Sequence, residues 1–295
     1  MNDDAFRLMV DESPTRTFRL SPSGPLGILD SGVGGLSVLT HIRSGLPAES
    51  LLYFADQAHI PYGPRPAEEI CAFTAEISRF LLRRKAKLIV VACNTATAAA
   101  LDYLRREFPG VPFVGMEPAV KPAAATTRSG KVGVLATPTT LNSHRYASLM
   151  ARFAAGVQVL EDPCVGLVQL IEDGQVDTPQ TRELLERVVE PMLAAGVDTL
   201  VLGCTHYPFI RPVLRDIVGR GVTIIDPAPA VARQTARVLH QHRLQAPAGR
   251  TGSLRCFTSG NAAHLASQAA VLVKCDCATE AVLWDESVLE DAALT

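Results

Sequence analysis

The sequence lacks a charge bias of either sign. Its 28 Lys and Arg against 30 Asp and Glu leave a net charge of −2 over 295 residues, which gives nucleic acid or an anionic membrane nothing to grip. No apolar run approaches the roughly 20 residues that a membrane-spanning helix needs. The first residues carry Asp3, Asp4, Asp11 and Glu12 with no basic stretch leading into an apolar core, so no secretory signal is expected. The seven cysteines are odd in number and scattered, and Cys71, Cys93, Cys164 and Cys204 sit in or beside apolar or helical stretches. This argues against a disulfide frame and for reduced thiols in a cytoplasmic protein. Zinc-ligand spacing is missing too: Cys275 and Cys277 form a C-x-C with no second pair, so no metal site is expected. There is no P-loop and no lysine framed for a cofactor Schiff base.

What is present is an ordinary globular composition, 47% hydrophobic and 20% charged, in a chain long enough for two domains or one large one. Residues 1–24 are polar and read as a loose extension. Short apolar runs then alternate with helical patterns. Strands are expected at 26–30, 51–55, 87–92, 111–115, 131–136, 157–160, 198–202, 222–225 and 254–258. Helices are expected across most of the gaps, among them 67–84, 95–107, 139–153 and 179–194. Such alternation predicts an α/β protein with mostly parallel sheets flanked by helices.

Two of the apolar runs end in matching frames, KLIVVACNTATAAAL with Cys93 and DTLVLGCTHYPFI with Cys204. Each reads as a buried strand that ends in a small residue, then cysteine, then a polar residue. A thiol at such a crossing meets a helix start, where the dipole and free N–H groups favour a thiolate. A shift of 111 residues superimposes the two cysteines and also brings 111–123 onto 222–234, and a shift of 106 brings 26–31 onto 132–137. Although all βα units look broadly alike, the coincidence of the cysteines favours two similar, pseudo-symmetric halves. The expected division is a discontinuous first α/β domain of residues 25–118 plus 229–277, a second of 119–228, and a tail of 278–295. Ligands of open α/β sheets bind beyond the carboxyl ends of the strands, so the site is expected in the cleft between the halves.

Three further segments carry candidate chemistry. ILDSGVGGLSVL (28–39) places Asp30 and Ser31 at a strand end before a glycine-rich turn suited to an anion. It half fits a dinucleotide fingerprint, but Ser37 stands at the third glycine position, and that reading leaves both cysteines unexplained. YFADQAHIPYGPR (53–65) presents Tyr62 and Gly63 from a proline-constrained turn. DPCVGLVQLIEDG (162–174) is amphipathic and contains Glu172. The four strand-end motifs hold no Lys or Arg except Arg65 at the edge, so an anionic substrate would rest on backbone N–H groups, hydroxyls and helix N-termini.

Taken in order, DSGVGGLSV, YFADQ…PYG, VVACNTAT and LGCTHYP resemble the glutamate racemases, a cofactor-independent family within the wider aspartate, glutamate and hydantoin racemase group. The resemblance covers roughly residues 26 to 270. It implies two thiols that exchange protons with opposite faces of one substrate carbon, with no cofactor, and L- and D-glutamate as partners for peptidoglycan synthesis. By motif, Cys93 would deprotonate D-glutamate and Cys204 L-glutamate. Asp30 would assist Cys93, and His206 and Glu172 would assist Cys204. Substrate contacts would come from Asp30, Ser31, Tyr62, Gly63, Asn94, Thr95, Thr205 and His206. The stretch around Glu172 departs from the family pattern, with Val165 and Gln169 where prolines are usual. The family often forms homodimers. Rival readings are an aspartate racemase with the same mechanism, a cysteine-nucleophile amidohydrolase that uses His206 as base, and a non-catalytic two-lobed binding protein.

Overall fold

The computed structural model describes residues 18–291. Its strands are β1 (Leu26–Asp30), β2 (Leu51–Ala55), β3 (Leu88–Val91), β4 (Phe113–Val114), β5 (Lys131–Leu135), β6 (Gln158–Asp162), β7 (Thr199–Leu202), β8 (Thr223–Ile225), β9 (Leu254–Thr258), β10 (Ala278–Asp285) and β11 (Val288–Asp291). They form a seven-stranded sheet in the order β11-β10-β9-β2-β1-β3-β4 and a four-stranded sheet in the order β6-β5-β7-β8. Every strand pair is parallel except the β10–β11 hairpin. The α/β class with parallel sheets flanked by helices is therefore as the sequence led us to expect.

Parallel strands covered on both faces must be apolar along their whole length, and β1, β2, β3 and β7 are buried at every position. Two apolar layers cover the large sheet. One packs Phe54, Phe80, Leu81 and Leu104 against one face, and the other packs Ile28, Leu36, Ile42 and Leu239 against the opposite face. The small sheet is covered likewise, by Leu185, Val189 and Leu214 on one side and Tyr146 and Leu149 on the other.

The order β2-β1-β3-β4 in the large sheet recurs as β6-β5-β7-β8 in the small one. Here the two frames found in the sequence acquire a geometry. In each sheet the chain leaves a central strand (β1 or β5) first to one side and later to the other. This makes a topological switch point, where the loops beyond the carboxyl ends part and leave a crevice. Cys93 follows β3 and Cys204 follows β7, so the thiols occupy equivalent positions beside the two switch points.

Two segments differ from expectation. Of the extension 1–24, residues 1–17 lie outside the described residues, and 18–24 are tied to the core. Phe18 tilts against Phe108 with ring centroids 6.1 Å apart, and the Pro22 carbonyl accepts a 2.6 Å hydrogen bond from Lys87 Nζ. That lysine is fully buried in an ion pair with Glu49 at 2.6 Å, so the segment supplies an acceptor to a buried cation. Residues 278–291 of the expected tail are the β10–β11 hairpin, which extends the large sheet beyond β9.

Candidate active site

The strand ends bring the candidate residues into one water-poor cluster. Asp30, Ser31, Asn94, Thr95, Glu172, Thr205 and His206 are all buried, as are Cys93 and Cys204 at 5% and 6% exposure.

Cys93 caps the Asn94–Glu107 helix. Its Sγ accepts from the Ala96 N–H at 3.4 Å, as expected for sulfur at a positive helix end. Its own S–H points to Ser31 Oγ at 3.9 Å. Burial pushes the Cys93 thiol well up, and the nearby charges of Asp30 and Cys204 push the same way against the Ala96 hydrogen bond. In the unliganded protein, then, Cys93 is a thiol.

Cys204 has a different neighbourhood. A 3₁₀ turn, Tyr207–Ile210, precedes the Arg211–Val218 helix, so no helix N–H reaches the sulfur. His206 stands there instead, with Nδ1 3.6 Å from Cys204 Sγ. Its Nε2 lies 2.5 Å from Glu172 Oε1, and that oxygen also accepts from the Val33 N–H at 2.8 Å. Burial alone would lower the basicity of His206, but hydrogen bonds to Cys204 and Glu172 reverse this and raise it well above the ordinary value. For Glu172 burial works upward, and the His206 hydrogen bond and charge outweigh it and hold the carboxyl low. The pair is therefore an imidazolium on a carboxylate.

Asp30 joins the halves. Its Oδ1 accepts from Thr205 Oγ1 at 3.2 Å and its Oδ2 from the Gly32 N–H at 3.0 Å. Burial raises it to about 6, against the opposing pull of the His206 charge and the Gly32 and Gly35 amides. Ser37 Oγ donates to the Thr205 carbonyl at 3.1 Å, a second tie between the halves. The glycines of this turn give way to the facing half: a Cβ on Gly34 would lie 2.5 Å from both His206 Nδ1 and Thr205 Oγ1, and one on Gly32 would overlap Glu172.

The remaining expected residues are more occupied. Thr95 Oγ1 shares a 2.8 Å hydrogen bond with Thr137. The Gly63 carbonyl accepts from Thr139 Oγ1. Tyr62 Oη donates to Asp56 Oδ2 at 2.6 Å. Asn94 is the exception: its Oδ1 and Nδ2 are buried with no partner. An unsatisfied buried amide costs about 1–3 kcal/mol, so both polar atoms of Asn94 are free to meet a further partner.

Sequence reasoning passed over Asp56 as a hub. It accepts from Tyr62, His59, Ser259 and Trp284 at 2.6, 2.9, 2.7 and 2.9 Å respectively. Gln268, which donates to the Glu172 carbonyl at 2.5 Å, was also missed. Among the described residues no group of His, Cys, Asp and Glu is arranged to hold a metal ion, and no helix is long and apolar enough to cross a membrane.

Residues 27–235 match the model of the Asp/Glu/hydantoin racemase family. The chain belongs to that family. A glutamate racemase of Pseudomonas paraeruginosa is 56% identical to it over 237 residues, which is 80% of this chain and 89% of the relative. Among solved structures, a glutamate racemase of Bacillus anthracis matches with a TM-score of 0.81 at 33% identity, covering 90% of this chain and 98% of the other. The Escherichia coli glutamate racemase, solved with L-glutamate and an activator, matches with a TM-score of 0.77 at 33% identity, covering 92% and 100%. This member of the racemase family is accordingly an isomerase that acts on an amino acid.

Proposed function

We propose that the chain interconverts L- and D-glutamate by proton transfer at Cα between two thiols, and that it supplies D-glutamate for peptidoglycan. The observation that carries this reading is the placement of Cys93 and Cys204 at equivalent strand ends of two repeated sheets, within one buried cluster.

Inverting a carbon needs a base on one face and an acid on the other. Cys93, protonated in the free protein, is the acid when L-glutamate is the substrate. Cys204 is then the base, with the His206 imidazolium as hydrogen-bond donor to its thiolate. For D-glutamate the roles exchange, and Asp30 takes part in the proton movements at Cys93. Removing a proton from Cα throws charge onto the substrate carboxylate. With no Lys or Arg in the strand-end motifs, donors fixed in advance must hold it: the unpartnered Asn94 amide, the hydroxyls of Ser31, Thr95 and Thr205, and the start of the Asn94–Glu107 helix. In a cluster this dry such donors are worth far more than in water. Glutamate as substrate is supported by its being bound in the Escherichia coli relative.

Incubation with either antipode in D₂O tests the reading: the other antipode should form with deuterium at Cα. Cys93→Ser and Cys204→Ser should each abolish net racemisation. Near-native turnover by either variant would reject the two-thiol scheme, and faster turnover of aspartate than glutamate would reject the substrate.

A further inference from the structure

Three cysteines outside the candidate site converge where β9 meets the start of β10. Cys256 lies in β9 and is fully buried, Cys275 is nearly so, and Cys277 is half-buried. β10 runs parallel to β9 with Thr279 opposite Cys256, and Cys277 lies two residues earlier, just before β10 begins. The Sγ atoms of Cys256 and Cys277 are 2.9 Å apart, roughly 0.9 Å more than a disulfide bond. Arg43 Nη1 sits 3.0 Å from Cys275 Sγ, and Thr279 Oγ1 is 3.7 Å from Cys277 Sγ.

We propose that Cys256 and Cys277 are a redox pair that hydrogen peroxide joins in a reversible disulfide between β9 and the entry to β10. The Cys256 thiol donates to the Cys277 sulfur, and that bond holds Cys277 low, at about 6, and Cys256 high. The more exposed sulfur is thus the thiolate, the form that attacks. It displaces hydroxide from the peroxide and becomes a sulfenic acid as the O–O bond breaks. The Cys256 sulfur then attacks that sulfur, the S–O bond breaks, and the hydroxyl leaves with the Cys256 proton as water. Two cysteine sulfurs are oxidised by two electrons in all, one peroxide is reduced, and the hydroxide from the first step takes back the proton that Cys277 released to solvent on becoming a thiolate, giving the second water. A dithiol reductant reverses the bond by exchange.

Trypsin cleaves after Arg255 and Lys274, placing Cys256 on peptide 256–274 and Cys275 with Cys277 on peptide 275–295. Digestion of the full-length protein after peroxide treatment should give these two peptides linked, at 2 Da below their summed mass, and dithiothreitol should separate them. Cys275→Ser should keep the link and Cys277→Ser should lose it. Unlinked peptides, oxidation that dithiothreitol does not reverse, or a link that survives in Cys277→Ser would each overturn the proposal. Because the readout is a mass, it stands or falls apart from any racemase activity.

Discussion

His206 Nε2 lies 2.5 Å from Glu172 Oε1, with both side chains shut away from water. The two come from different elements of the second half, 34 residues apart, and their pairing makes His206 a fixed cation against Cys204. A carboxylate turned toward a buried imidazole sets its charge and its orientation together.

Glu172→Gln should therefore act through His206. Without the carboxylate the imidazolium keeps only its hydrogen bond to Cys204, so the ring should become less basic, and a ¹⁵N titration should show it turning neutral at a lower pH in the variant than in the native protein. We expect kcat/KM to fall by roughly 10²-fold, within the range of general acid–base effects. The fall must be equal in both directions, because enantiomers in water have the same free energy and the overall equilibrium constant is one. Linkage gives a second readout. Since His206 is raised on folding, its contribution to stability is complete below the unfolded value of about 6.5 and fades as pH rises through the raised folded value. The variant should lose the part of that dependence that Glu172 supplies, and keep the part that Cys204 supplies.

Asp30 carries the opposite lesson. Its carboxyl is raised to about 6 by burial, so protonation relieves the folded state. Its contribution favours folding most below the unfolded value of about 3.9 and is lost as pH rises through 6. Asp30→Asn should thus unfold later than the native protein at pH 8, by up to about 3 kcal/mol at 1.36 kcal/mol per unit, and show no such gain at pH 3.5. If the Asp30 carboxylate serves Cys93, the native kcat/KM should fall below pH 6 and the variant should be slow at every pH. Stabilisation that persists unchanged at pH 3.5 would refute the assignment of the raised group.

Much of this was legible in the sequence, for reasons that vary by residue. β1, β3 and β7 could be read because strands buried on both faces are unbroken apolar runs. Cys93 and Cys204 stood out because the repeat placed them in matching frames, whereas nothing in the segment of Glu172 marks it, and it was reached only through the family resemblance, despite Val165 and Gln169. The β10–β11 hairpin was hidden. It mixes Thr279, Glu280 and Asp285 with Val282 and Trp284, and its turn puts Glu286 at φ 50° with no glycine to announce it. Asp56 was visible in its motif, but its role as a hub depends on Trp284, 228 residues away.

That long-range contact gives a third expectation. Trp284 Nε1 donates to Asp56, which in turn accepts from Tyr62. Trp284→Phe keeps the ring edge against His59 and Phe73 but removes the donor. Loss of one hydrogen bond to a charged acceptor should cost about 1.5–3 kcal/mol in denaturant unfolding. If Tyr62 meets the substrate, KM should rise while kcat changes less, because Tyr62 and not the thiols would be displaced. An unchanged KM would confine Trp284 to a role in stability.

The glycine-rich turn offers the sharpest test of whether the two halves work as one site. A Cβ on Gly34 would stand 2.5 Å from His206 Nδ1 and from Thr205 Oγ1, closer than any real contact. Gly34 has no positive φ, so alanine suits its backbone and even lowers the entropy of the unfolded chain. The whole effect of Gly34→Ala should come from the facing half, where His206 and Thr205 must retreat. His206 would leave Cys204, and Thr205 would leave Asp30. We expect a folded protein with a melting temperature within a few degrees of native and racemisation reduced by 10²-fold or more, since misplacing a reacting group by about 1 Å costs that much. Gly45→Ala is the control, because nothing lies within 4 Å of a Cβ there and it should be fully active. Native activity in Gly34→Ala would mean that the halves need not approach as closely as His206 and Gly34 do here, and would remove the basis for treating the two thiols as one site.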